Sequence, residues 1–521
     1  MKASKHNING TIKILVLILF IITGCEKTYV QPNIIFLLTD DQKDNTFSAD
    51  NLKPLTPNID KLINKGVRFI NTYTASPVCC PSRVSIFTGM HERKHMINFT
   101  SSYVLTADQW EKTYPALLKK AGYYTGFIGK FGVEYYEARG HSDTLFNFWA
   151  AHDGWTSFFP KDNNNESCKP YHNAEENIIT FIMGEFIEKF LVERPEDRPF
   201  CLSVSFNVPH LTQCASMNPD VENPRHMLEP ANNNPRLQGT PFYDTLYRNN
   251  TIMIPEECGT DPYKYIPRFI LDQDKGRNTT YYQSYYPETN REHHIRYYQL
   301  ISGLDMVIGE LLNSLNEKGL EKNTIIIYAS DNGLLMGDYG MGGKSLLYDL
   351  TAKVPCVIYD PRLPVPNRGK TRDQLVSTLD ITSTILDYAG VPQPDEMDGS
   401  SLIPLLSKPD APWREELFIE SLFSGRDNPF IEGIRQGRWK YLRMYDGVTK
   451  YREDDLDFSN REPEFEQLFD LENDPGEKIN LIEKYKDSTL LFSLREKCAI
   501  ESERVNLERK EYKSKYKPQL R

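Results

Sequence analysis

Cysteine is sparse and unpatterned in this chain. Nine occur in 521 residues, at Cys25, Cys79, Cys80, Cys168, Cys201, Cys214, Cys258, Cys356 and Cys498. None forms the C-x-x-C spacing that marks a zinc site or a redox motif, and the count is odd. Positive charge is also in short supply. The formal net charge is -11 and the pI is near 5.6, a field that repels nucleic acid and anionic polymers. No nucleic-acid partner is expected, and positive charge that meets an anionic substrate must be local. Internal repeats are missing, and the apolar run Ile14 to Ile22 is too short to span a bilayer. What the chain does have is 39% hydrophobic and 12% aromatic content, enough for one enzyme-sized core with a smaller partner.

The short apolar run follows lysines and ends in small residues, as the h-region of a signal peptide does. Ile22-Thr23-Gly24-Cys25 resembles the lipobox of bacterial lipoproteins, in which the cysteine is acylated. The expectation is a signal peptide over 1–24, lipid attachment at Cys25, and an exported protein held at a bacterial membrane by that lipid alone, in the periplasm or on the cell surface. The alternative is an ordinary secretory signal cut at another small residue.

Downstream, the continuous apolar run Asn33 to Leu38 ends in Thr39-Asp40-Asp41, as a buried parallel strand would. A short helix over Pro115 to Ala121 precedes a strand over Tyr123 to Gly129. A helix over Asn177 to Val192 leads to a strand over Phe200 to Phe206. A longer helix carries Leu300, Leu304, Ile308, Leu311 and Leu315 on one face, stops at Gly319, and is followed by a strand over Thr324 to Ala329. This alternation predicts an α/β fold, a mostly parallel sheet sandwiched by helices over 31–404, with ligands beyond the carboxyl ends of the strands. Charged, Pro-rich texture from 405 to 521, with strand-like runs such as Trp439 to Arg443, predicts a smaller C-terminal α+β subdomain. The stretch 212–298 is Asn/Pro-rich and crowded with Tyr281, Tyr282, Tyr285, Tyr286, Tyr297 and Tyr298. It reads either as an insertion walling a sugar pocket or as an ordered surface loop.

The densest signal is Cys79-Cys80-Pro81-Ser82-Arg83 followed by Thr88-Gly89. It resembles the C-x-P-S-R-x-x-x-x-T-G signature of the type I sulfatases, which belong to the alkaline-phosphatase-like superfamily. The resemblance implies that a maturation enzyme oxidises Cys79 to formylglycine (3-oxoalanine). As a hydrated aldehyde, that residue has one hydroxyl to attack sulfur and a second to expel sulfate afterwards. Arg83 is implied to hold the nucleophile and neutralise oxygen charge.

Asp40-Asp41 after one strand and Asp331-Asn332 after another, in Tyr328-Ala-Ser-Asp-Asn-Gly333, are four hard oxygen donors of the kind calcium prefers, with magnesium as the substitute. Taken singly, such pairs are helix caps or turns. In the resemblance they bind Ca²⁺ together with the oxygen of residue 79. Gly129-Lys130 and Gly342-Gly343-Lys344 resemble the family's two sulfate-binding lysines, and His210 in Phe206-Asn-Val-Pro-His210 its leaving-group histidine.

One departure stands out: the family usually has histidine two residues after the first lysine, and here Gly132 occupies that position. His91, His95 and His141 are the candidates to supply the imidazole. Three segments, Leu379 to Val391, Asp398 to Leu402 and Leu468 to Pro475, also look like recurrent sulfatase segments. The function implied is sulfate-ester hydrolysis on a sulfated carbohydrate. The rivals are a phosphonate or phosphate monoester hydrolase of the same superfamily and a catalytically impaired sugar-binding lipoprotein.

Overall fold

The structure, a computed structural model, describes residues 31–521 apart from 51–53, 100, 102, 134–143, 155, 218–242, 244, 274–286, 424–427, 448–452, 460, 518 and 521. The signal segment, Cys25, His141, Tyr281, Tyr282, Tyr285 and Tyr286 lie outside the described residues. No disulfide links the eight described cysteines.

Eight strands form the central sheet. They are β1 (Asn33–Thr39), β2 (Val67–Tyr73), β3 (Tyr124–Lys130), β4 (Phe148–His152), β5 (Phe200–Ser205), β6 (Thr324–Ser330), β7 (Cys356–Tyr359) and β8 (Lys370–Ser377). Their spatial order is β8-β2-β7-β6-β1-β5-β3-β4. Every pairing is parallel except those of β7, which runs antiparallel to both β6 and β2.

The apolar run that suggested a buried strand works because successive side chains of a strand point to opposite faces. Ile34, Phe36 and Leu38 of β1 enter one core with helices α2 (Cys79–Thr88), α3 (Tyr114–Lys120) and α6 (Leu379–Ala389). Ile35 and Leu37 enter the other with α1 (Pro57–Lys65), α4 (Ile179–Glu193) and α5 (Pro287–Glu317). Leu300, Leu304, Ile308, Leu311 and Leu315 of α5 all lie in that second core. The sheet is therefore covered on both faces, and functional groups gather at its rim.

One tie holds the second layer together. Asp305 on α5 accepts the backbone N–H groups of Asn58 (3.0 Å) and Ile59 (2.7 Å), capping α1 from outside its own segment. Thr56, the local N-cap residue, makes no side-chain cap bond. Burial pushes the Asp305 carboxyl up to about 6. Asp305→Ala strips the donors of their partner and is expected to cost about 1–3 kcal/mol of stability, read from the midpoint of urea unfolding at constant slope.

The C-terminal subdomain is an antiparallel sheet of β9 (Glu416–Ser421), β10 (Phe430–Gln436), β11 (Trp439–Tyr445) and β12 (Phe465–Asp470), in that order. Phe418, Ile434, Tyr441 and Leu468 on one face pack on Leu491, Leu494, Cys498 and Val505 of α7 (Thr489–Lys515). On the other face Leu417, Ile419, Ile431 and Leu442 pack on Leu346, Leu347 and Tyr348. The loop carrying Lys344 is thus buttressed by the second sheet, and Ser421 Oγ donates to the Ser345 carbonyl at 2.7 Å.

Candidate active site

Cys79 is the first residue of α2, buried at 5% exposure, at a helix N-terminus whose cap, Val78, makes no side-chain cap bond. The end of the same helix explains the trailing Thr-Gly. Thr88 Oγ1 donates to the Val84 carbonyl at 2.7 Å, and Gly89 closes the helix at φ 68°. A β-carbon on Gly89 would lie 2.9 Å from the Met397 side chain, so glycine is required for both reasons.

Ser82 Oγ donates to the Asp331 carbonyl at 2.7 Å, and so does Thr74 Oγ1. The nucleophile helix is thereby fastened to the turn after β6. On the other flank, Ser345 N donates to the Pro77 carbonyl at 3.0 Å. This joins the Lys344 loop to the segment just before Cys79, and Lys344 Nζ comes within 3.5 Å of Cys79 Sγ.

The four oxygen-bearing residues converge at the carboxyl ends of β1 and β6. Asp41 adopts φ 66°, a left-handed conformation that aspartate tolerates better than most side chains. Its amide donates to Asp331 Oδ1 at 3.2 Å, and Asn332 Nδ2 donates to Asp41 Oδ1 at 2.7 Å. Oxygens of Asp40 and Asp41 and a nitrogen of His210 lie within 4.8 Å of one another.

Cations surround this group. Lys130, the last residue of β3, places Nζ 2.6 Å from Asp40 Oδ2. Lys344 Nζ bonds Asp41 Oδ1, and His210 Nε2 lies 3.4 Å from Asp41 Oδ2. Burial works against the charge on Asp40, but Lys130, His210, Arg83 and Lys344 together hold its carboxyl below the ordinary range. Asp331, pressed by burial and by the charge of Asp40, is pushed up to about 6. Burial also works against the ammonium of Lys344, yet Asp41, Cys79 and Asp40 keep it well above its usual value.

Two buried oxygens in the cluster, Asp40 Oδ1 and Asn332 Oδ1, have no hydrogen-bond partner among the described residues. A buried acceptor without a partner costs free energy, and a cation satisfies it. The donor set Asp40, Asp41, Asp331 and Asn332 is all oxygen, which fits calcium or magnesium rather than zinc. Charge points the same way. Arg83, Lys130 and Lys344 balance three carboxylates, so an anion that engages both lysines leaves an excess of negative charge that a divalent ion offsets.

Several expectations need correcting. Arg83 does not act on residue 79 alone: it interacts electrostatically with Cys79 and also ties the carboxylates together. Its guanidinium bonds Asp331 Oδ2 at 2.8 Å, the Lys130 carbonyl at 2.9 Å and Ser205 Oγ, and lies 3.6 Å from Asp40 Oδ2. At 1% exposure it is the strut that gathers the carboxylates, because three strand ends present acceptors to it at once. Tyr297 does not wall a sugar pocket either. It belongs to α5, is buried, donates to the Asp41 carbonyl at 2.9 Å and accepts from Lys43 N at 2.9 Å, pinning the strained turn.

His91 and His95 do not substitute for an imidazole at position 132. His91 sits 3.9 Å from Glu420 at the second sheet, and His95 Nε2 pairs with Ser85 Oγ at 2.9 Å. Gly132 itself is at φ 61°, and a β-carbon there would lie 3.0 Å from Arg83 Cδ. A side chain there would press on the arginine strut and strain the left-handed backbone.

The histidine that does stand beside the site is His152, at the end of β4, where it is the register partner of Lys130. Its signal in the sequence was an apolar run, Phe148 to Ala151, ending in His-Asp. Asn207, just past β5, contacts it at 3.0 Å.

Comparison with known proteins follows the same lines. Residues 32–391 match the family described as Sulfatase, and 337–504 match the one described as N-sulphoglucosamine sulphohydrolase, C-terminal. An arylsulfatase of Clostridium perfringens is 29% identical over 499 residues, covering 88% of this chain and 92% of its own. An N-acetylglucosamine-6-O-sulfatase of Bacteroides thetaiotaomicron is 27% identical over 500 residues, covering 87% and 83%. A solved structure of a protein in complex with its substrate D-glucosamine-2-N,6-O-disulfate superposes with a TM-score of 0.70 at 23% identity, covering 92% of this chain and 98% of the other.

Proposed function

The chain belongs to the sulfatase family and hydrolyses sulfuric esters, and from that premise we propose that it acts on a sulfated carbohydrate with Cys79 matured to formylglycine and a calcium ion, or magnesium in its place, at Asp40, Asp41, Asp331 and Asn332. The observation that carries this reading is the convergence of Cys79, Lys344 and the carboxylate cluster, with two buried oxygens left for a cation. The carbohydrate class is supported by the activity of the Bacteroides thetaiotaomicron relative and by the ligand of the superposed structure named above. The lipobox-like Ile22 to Cys25 supports an exported protein anchored at a bacterial membrane by lipid.

Formylglycine supplies, when hydrated, two hydroxyls on one carbon, and the metal supplies a Lewis acid for the ester oxygens. The rest is the work of the chain. Lys130 and Lys344, now on carboxylates, have flexible stems and turn to the sulfuryl oxygens, offsetting the charge that builds there.

His210 is held in one tautomer. Its Nδ1 accepts from the Thr212 amide at 3.1 Å, so in the neutral ring the proton sits on Nε2, which faces Asp41. Burial lowers its affinity for a second proton. His210 is therefore a hydrogen-bond donor poised at the bridging oxygen of the leaving alcohol. Arg83 keeps Asp40 and Asp331 at fixed separation, and Tyr297 holds the backbone of Asp41.

Parallel assays of nitrophenyl sulfate, a phosphonate monoester and a panel of sulfated monosaccharides test the reading. Release of sulfate from at least one sugar, at a kcat/KM above that for the phosphonate, is the expected result. Preference for the phosphonate would transfer the chain to the rival hydrolase activity.

A further inference from the structure

Position 132 is glycine and carries no imidazole, and another polar group stands close to Lys130. His152 and Lys130 are register partners at the carboxyl ends of adjacent parallel strands, β4 and β3. Register partners project to the same face of a sheet, and the Lys130 ammonium reaches Asp40. Phe131 N donates to the His152 carbonyl at 2.8 Å, which fixes the two strand ends together.

The imidazole is fully engaged: Nδ1 pairs with Tyr171 Oη, and Nε2 with Asn207 Nδ2 at 3.0 Å. An amide Nδ2 only donates, so Nε2 accepts and Nδ1 carries the proton toward the tyrosine oxygen. Burial, with Lys130 and Arg83 nearby, pushes the pKa of the ring down to about 3. His152 is thus a neutral scaffold and a poor proton acceptor. What it holds is more telling. Asn207 is 3% exposed, and its Oδ1 is a buried acceptor with no partner among the described residues.

Asn207 lies two residues beyond Ser205, whose hydroxyl meets Arg83, and three before His210, whose amide donates to the Asn207 carbonyl at 3.2 Å. The next residue, Val208, accepts the amide of Asp40 at 3.2 Å. A rigid, desolvated acceptor among residues that touch Arg83, His210 and Asp40 is placed to receive a hydrogen bond from something that arrives at the site.

We propose that the Asn207 carboxamide oxygen, positioned by His152 and Tyr171, accepts a hydrogen bond from the residue-79 hydroxyl that does not carry the sulfuryl group, and so orients that hydroxyl for sulfate release. The inference rests on the formylglycine reading above. Release breaks the carbon–oxygen bond to sulfate, which leaves with the electron pair. The oriented hydroxyl becomes the aldehyde carbonyl, and its proton, held until then against the Asn207 oxygen, leaves that hydrogen bond and passes to a water. Asn207 orients and does not take the proton.

The test is a set of folded variants, Asn207→Ala, Asn207→Ser, His152→Ala and His152→Gln, assayed for kcat and KM and digested after brief exposure to substrate, with the residue-79 peptide weighed. Asn207→Ala is expected to lose on the order of 10²-fold in kcat, with KM falling alongside it and kcat/KM little changed, because sulfate release becomes rate-limiting. Its residue-79 peptide is expected to retain one sulfuryl group. His152→Ala should share that signature, and His152→Gln, which keeps an acceptor for the amide, should largely restore turnover.

Wild-type kcat in both Asn207 variants, or a loss of kcat with no retained sulfuryl group, would overturn the inference. If the untreated, active wild-type peptide weighs as unmodified cysteine, the formylglycine reading fails instead, and this inference with it.

Discussion

Cys79→Ser is expected to give a folded protein that completes no more than one turnover, with steady-state activity down by on the order of 10⁴-fold or more. Serine is close in size to cysteine, and the position is packed at the start of α2 with Lys344 Nζ 3.5 Å from the sulfur. Stability should therefore change little. A serine hydroxyl there has the same helix terminus and the same lysine beside it, so a first attack on sulfur remains open to it. It has no second hydroxyl on the same carbon, and the sulfate it acquires has no internal route of departure. Mixing enzyme and nitrophenyl sulfate in comparable amounts separates the phases: at most a stoichiometric burst is expected, then silence. Full steady-state turnover would mean that residue 79 works as something other than a matured aldehyde, and would reopen the reading of the chain as a binding protein on a decayed scaffold.

Metal removal should have the second largest effect. Extensive chelation is expected to abolish turnover and lower the thermal midpoint, and calcium should restore both. Under saturating calcium, at about 100 times the dissociation constant, the bound ion contributes about 2.7 kcal/mol to stability. The apo protein should nonetheless stay folded, because Lys130, Lys344 and Arg83 can satisfy Asp40, Asp41 and Asp331 without it. Asp40→Asn should mimic chelation. It removes one of three carboxylates and leaves Lys130 and Arg83 with less to neutralise, so added calcium should then restore little. Differential scanning fluorimetry with and without calcium, beside activity on the same samples, checks both expectations.

Much of the fold is legible along the chain because buried parallel strands write themselves as uninterrupted apolar runs. Asn33 to Leu38, Phe200 to Phe206 and Thr324 to Ala329 each correspond to a strand within a residue or so of its ends. The helix inferred from Leu300 to Leu315 has the stripe its core demands. The antiparallel β7 was not legible, since strand direction depends on the connections around it and not on its own four residues.

At the site, Cys79 and the Asp pairs could be read because their chemistry is bound to residue type at strand and helix ends. Arg83 was legible as a site residue too, but its partners, like those of Tyr297, were not. A long side chain buried among many acceptors goes where tertiary packing places them, and neither its number nor its neighbours in sequence announce the partner. His152 and Asn207 were missed for the same reason: their pairing joins the ends of two strands 55 positions apart.

The most direct test is the mass of the tryptic peptide spanning residue 79, taken from enzyme purified in active form from a host that carries a formylglycine-maturing activity. The expected mass is that of the sequence with the cysteine thiol carbon replaced by an aldehyde, with occupancy tracking specific activity from batch to batch. An unmodified cysteine at that position in fully active enzyme would contradict the account at its root.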